Sequence, residues 1–163
     1  MTAKRLVLIP VALYVGWLVF DYEYHFLDGV NLLFHEAGHV FLAFFGETLH
    51  FLGGTLAQIF FPAACVVHFM KAQRSFEAWL VGIWLAESLM NTARYLGDAQ
   101  ALALPLVGGH IHDWNWLLSH WGVLDHCELI ALVLHVAASL LAIGCLAGAW
   151  WAGGEPEEAF STA

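Results

Sequence analysis

His35, Glu36 and His39 stand in the order H-E-x-x-H inside the apolar stretch Leu33-Phe34-His35-Glu36-Ala37-Gly38-His39-Val40. On a helix, residues four apart share a face, one turn from each other. His35 and His39 can therefore aim ring nitrogens at one Zn2+ ion, and Glu36 beside them is placed to take a proton from a water on that ion. Zinc lowers the pKa of such a water to about 7, so hydroxide is available at neutral pH. The chemistry is metal-assisted hydrolysis, most often of a peptide bond. Ionisable residues inside an apolar segment are costly and mark function by default. Three of them within five residues weigh against a packing role.

A catalytic zinc takes three protein ligands and a water, so a third ligand must come from elsewhere. Asp98, His110, His112 and Asp113 lie in one mixed stretch, and Glu87 lies at a comparable depth in its own apolar segment. Glu87, Asn91, Arg94 and Asp98 are spaced four, three and four apart, which puts a polar stripe on one helix face. That stripe reads either as a self-satisfied network, with Arg94 paired to Asp98, or as support for the metal site. His25 and His50 read as loop residues, His68 and His135 as isolated within apolar segments, and His120 and His126 as interfacial.

The elements that must position these residues are helices in an apolar setting. The chain of 163 residues is 61% hydrophobic and 12% charged, with a mean hydropathy of +0.72. Average soluble domains are nearer 45–50% apolar and a quarter charged. Apolar runs at 6–20, 30–45, 55–70, 76–96 and 128–151 approach the roughly 20 residues needed to cross a bilayer. Pro62 is a candidate kink. Residues 98–113 are mixed, with Pro105, Gly108 and Gly109, and read as irregular or re-entrant. The expected fold is all-α: a polytopic integral membrane bundle of four to six transmembrane helices, one domain over 1–154, and an acidic tail over 155–163. Trp114, Trp116, Trp121, Trp150 and Trp151 suit a membrane interface. Gly144 and Gly148 have the spacing of close helix packing.

The segment His35-Glu36-Ala37-Gly38-His39 resembles the H-E-x-G-H of the site-2 protease family of intramembrane zinc metalloproteases. Ala43 and Gly46 fall where that family often has a small residue and a glycine. Leu104-Pro105-Leu106-Val107-Gly108-Gly109-His110-Ile111 resembles the family's proline-rich segment ending in L-D-G-G, with Val107 at the position of the family's aspartate ligand. The resemblance covers residues 30–115. It implies a zinc peptidase with a membrane-protein or peptide substrate and places the third ligand in or near that loop, which ranks His112 and Asp98 ahead of Asp113 and Glu87. By the same analogy, Asn91 could bind a substrate backbone.

Five Lys plus Arg give no basic surface for nucleic acid. Cys65, Cys127 and Cys145 have no C-x-x-C spacing, which argues against a disulfide framework or a cysteine zinc site. The alternatives are a non-catalytic zinc-binding or degenerate scaffold, for which Val107 is the argument, and a His-rich di-iron or haem oxidoreductase. Only His35 and His39 among the ten histidines have clear helical ligand spacing, which disfavours the latter.

Overall fold

The structure, a computed structural model, describes residues 2–107 and 111–154. All regular structure among them is helical. Helix α1 spans Ala3–Phe20, α2 Phe26–Leu42, α3 Glu47–Lys71, α4 Ser75–Gly97, α5 Asp113–His120 and α6 Cys127–Ala152. A 3-10 turn, Ala43–Phe45, follows α2, and Gly46 at φ +95° reverses the chain into α3, a conformation that side-chain-bearing residues rarely adopt. Helix α3 continues through Pro62, the expected kink position, as one element.

Three helices are long and apolar enough to cross a membrane: α1, α3 and α6, the last extended N-terminally to Leu124. Two further segments expected as spans fall outside that set. Helix α2 has 17 residues and carries Asp28, His35, Glu36 and His39, while α4 carries Glu77, Glu87 and Arg94. Their polarity follows from position. Helix α4 is the central element, with neighbours on several sides, and its buried residues include Glu87, Ser88 and Thr92 as well as Ala86 and Met90.

Against α4 lie α6 and the inner face of α1. Val15 and Leu18 of α1, Ile83, Ala86 and Met90 of α4, and Ala138, Ala142 and Cys145 of α6 form one buried cluster. Gly148 faces the Trp79 ring, where a Cβ would come within 2.5 Å, whereas Gly144 has open space. The glycine spacing in α6 is thus half used for helix contact.

Helices α2 and α3 cross where Gly38 meets Gly53. A Cβ on Gly53 would lie 2.6 Å from the Gly38 carbonyl oxygen, so only glycine lets the backbones approach this closely. One residue on, Gly54 leaves room for the His35 ring, which a Cβ there would overlap. The helix crossing and the seating of His35 therefore share one cause.

Between α4 and α5 the described residues, 98–107 and 111–112, form no regular helix, and regular helix resumes at Asp113. Asp98 staples the start of this stretch: its carboxylate accepts the Ala103 N–H at 2.9 Å and the Leu104 N–H at 3.0 Å. His110 and the tail 155–163 lie outside the described residues.

Candidate metal centre

His35 and His39 sit one turn apart on α2 with ring centroids 4.8 Å apart. Both Nε2 atoms face one carboxylate oxygen, Asp113 Oδ2, at 2.9 Å from His35 and 3.2 Å from His39. A tetrahedral zinc with ligands at about 2.1 Å holds its donor atoms roughly 3.4 Å apart. The two separations from Asp113 are within half an ångström of that, and the three atoms lie within 4.8 Å of one another, so two imidazoles and a carboxylate offer a donor set that suits the ion.

The other ring nitrogens are engaged away from this point. His39 Nδ1 lies 2.8 Å from the carbonyl oxygen of His50, which can only accept, so Nδ1 carries the proton. His35 Nδ1 lies 3.3 Å from Gln58 Oε1. In neutral rings this leaves both Nε2 lone pairs and an Asp113 oxygen converging on one another. Three acceptors at this range repel unless a cation, a metal or a proton, lies among them.

Asp113 is delivered by α5, which is fastened on three sides. The Tyr95 hydroxyl of α4 accepts the Asp113 N–H at 3.1 Å and stands 3.4 Å from Oδ2. Asn115 donates to the Ala99 carbonyl at 2.7 Å. Trp116 stacks on Phe51 of α3 with centroids 4.5 Å apart. His112 precedes the helix as its cap, with Nδ1 accepting the Asn115 N–H at 3.3 Å.

The residue that meets both histidines, Asp113, is not one of those ranked first in the sequence. His112 is turned away, stacked on Tyr95 at 4.1 Å, with Nε2 3.6 Å from Asp98. Burial lowers its pKa, so the ring is held neutral there. Asp98 is engaged by the loop N–H groups. Neither belongs to the His35–His39–Asp113 group. The physical reason is the N-terminus of α5: the cap points one way and the first helical residue the other, so Asp113 reaches α2 and His112 does not. The sequence signal for Asp113 was its place before the apolar run of a short helix.

A cavity of about 610 Å³ adjoins the group. Glu36, His35, His39 and Asp113 line it, as do Leu104, Pro105, Leu106 and Val107. The described residues 104–107 of the proline-containing segment thus wall the cavity. Glu36 is half-buried, and among the described residues no hydrogen bond engages its carboxylate. His50, expected in a loop, lies on α3, and its ring Nδ1 stands 3.2 Å from the His39 carbonyl.

Glu87 belongs to a second buried group with His25 and Asp28. Tyr22 O–H donates to Asp28 and lies 3.2 Å from Glu87 Oε1. Asn31 donates to Glu87 Oε2 at 2.9 Å, Asn91 to Asp28 Oδ1 at 2.5 Å, and the His25 backbone N–H to Asp28 Oδ2 at 2.7 Å. His25, in the loop just before α2 as expected, is therefore part of a buried network at the start of that helix. Asn91 is a member of the same network and also lines the cavity. Arg94 donates to the Tyr22 carbonyl at 3.2 Å; the expected pairing with Asp98 does not form. His135 lies 3.1 Å from the Val19 carbonyl, and His120 stacks on Trp116.

Comparison of the chain with family models, curated proteins and solved structures gives no match.

Proposed function

We propose that this chain is an integral membrane zinc-dependent hydrolase, a peptidase resembling site-2 proteases, with His35, His39 and Asp113 as ligands and Glu36 as general base. The observation that carries this reading is the convergence of both Nε2 atoms on Asp113 Oδ2 at 2.9 and 3.2 Å beside a cavity. The membrane part is supported by the three long apolar helices and by their outward side chains, such as Leu13 and Leu140, which are 73% and 67% exposed. Helices α2 and α4 complete a bundle of four to six spans by turning their polar groups inward, as intramembrane polar residues do.

Zinc, when bound, polarises the scissile carbonyl and lowers the pKa of water to about 7. Glu36 takes the proton as the water oxygen adds to the carbonyl carbon. It then hands that proton to the leaving nitrogen as the C–N bond breaks. The apolar wall from Leu104 to Val107 keeps other water away and offers an extended backbone a dry surface. The lack of an aspartate at Val107 favours a degenerate scaffold less once Asp113 stands at the histidines.

Glu36→Gln tests the reading. The amide is nearly isosteric but cannot accept the proton. Zinc content of the purified variant should stay at about one per chain, while cleavage of quenched fluorescent transmembrane peptides falls by about 10²–10⁴-fold. Cleavage at the wild-type rate by this variant would overturn the assignment.

A further inference from the structure

Gln58 of α3 is 2% exposed and touches His35. A buried amide is held in one orientation only if its neighbours dictate which end is oxygen. Here they do. Asp28 presents a carboxylate oxygen to Asn91, so the Asn91 amide nitrogen must point to it, and its Oδ1 points to Gln58. Gln58 Nε2 then donates to Asn91 Oδ1 at 2.8 Å and to the Ser88 carbonyl at 3.1 Å, an acceptor only. Ser88 O–H donates back to the Gln58 carbonyl at 3.1 Å, which ties the two helices together at this level. With its nitrogen so committed, Gln58 offers only Oε1 to His35, and His35 Nδ1 must carry the proton that meets it.

We propose that Gln58 is the positioning residue of the metal centre. Through a relay of fixed orientations running from Asp28 through Asn91, it holds His35 in the Nδ1–H tautomer, so that the Nε2 lone pair faces Asp113. This rests on the zinc reading for its consequence, but the tautomer itself is a property of the protein alone. His39 receives the same service from a backbone carbonyl, which no side-chain substitution removes. His35 is the ligand whose orientation depends on a replaceable side chain. Outer partners that orient a metal-binding imidazole typically contribute 10–100-fold in affinity.

The test uses the full chain in detergent, with ¹⁵N-labelled histidine. Long-range proton–nitrogen spectra at pH 8 read the His35 tautomer in metal-free wild type and in Gln58→Leu, and chelator competition reads zinc affinity. The expected result is His35 protonated on Nδ1 in wild type and redistributed between tautomers in Gln58→Leu, with zinc affinity about 10–100-fold weaker. Gln58→Glu keeps an acceptor at Nδ1 but loses the donor that meets Asn91 and the Ser88 carbonyl, so it should restore the tautomer at a cost in stability. A purely structural role would not give that rescue. His35 protonated on Nε2 in the metal-free wild type, or a Gln58→Leu protein with unchanged tautomer and unchanged affinity, would overturn the proposal. A wild type that binds no zinc but shows the Nδ1–H tautomer, lost in Gln58→Leu, would sink the hydrolase reading and leave the relay standing. Should Gln58→Leu fail to fold, Asn91→Leu removes the orienting acceptor one step back and is read the same way.

Discussion

Two buried groups in this protein have nearly the same composition and opposite electrostatic character. His35, His39 and Asp113 form one; His25, Asp28 and Glu87 form the other; in each, the candidate ligand atoms lie within 4.8 Å of one another. In the second, donors close the group. Tyr22, Asn31, Asn91 and the His25 backbone N–H all point at carboxylate oxygens, and the Tyr14 hydroxyl meets His25 Nε2 at 2.6 Å. In the first, the N–H of His39 is directed outward, as is that of His35 on the relay argued above, and acceptors meet at the centre. Residue types alone do not separate a metal centre from a structural knot. The direction of each donor does, because a cation is needed only where lone pairs converge.

The sharpest way to break this contrast is at the histidines. His35→Ala and His39→Ala should each lose nearly all bound zinc, measured by metal analysis after gel filtration, since two remaining ligands seldom hold a catalytic ion. Full retention in both would place the metal elsewhere. Next in size, Asp113→Asn should weaken zinc binding more than the 10–100-fold typical of an outer partner, while His112→Ala stays within a few-fold of wild type. Chelator competition compares the two, and the reverse order would restore His112 as the ligand.

The second group should respond in stability rather than in metal. Glu87→Leu leaves the Asn31 amide without its acceptor and should cost about 1–3 kcal/mol, read from thermal unfolding, with one zinc still bound. Loss of the zinc with the fold intact would merge the two groups into one site. Smallest of all, Asp98→Asn weakens the hydrogen bonds to the Ala103 and Leu104 N–H groups and should cost about 1 kcal/mol, with zinc affinity unchanged. A large drop in affinity would return Asp98 to the metal.

The helical architecture was legible because apolar runs and their breaks are local properties of the chain. So was the pairing of His35 with His39, fixed by one helical turn. The meeting of Asp113 with them was not, because it depends on how α5 docks. Phe51, Ala99 and Tyr95, which hold α5, are far from Asp113 in sequence and show no spacing relation to it. The family pattern pointed to the loop near Val107, and the chain does use that loop, though as a cavity wall. Gln58 was missed for a related reason. A single glutamine in an apolar helix carries no periodic signal, and its meaning appears only when Ser88 and Asn91 stand opposite.

On the proposed function, the first and third ligands, His35 and Asp113, are 78 residues apart in the chain. At synthesis rates of roughly 5–20 residues per second, Asp113 emerges about 4–16 s after His35. Throughout that interval the nascent N-terminal hairpin carries two ligands and a base but lacks a complete cage. On the proposed function, the order of synthesis itself delays activity: the hydrolase cannot be armed while its own early helices are being inserted, because the residue that completes it arrives on a short helix that docks late.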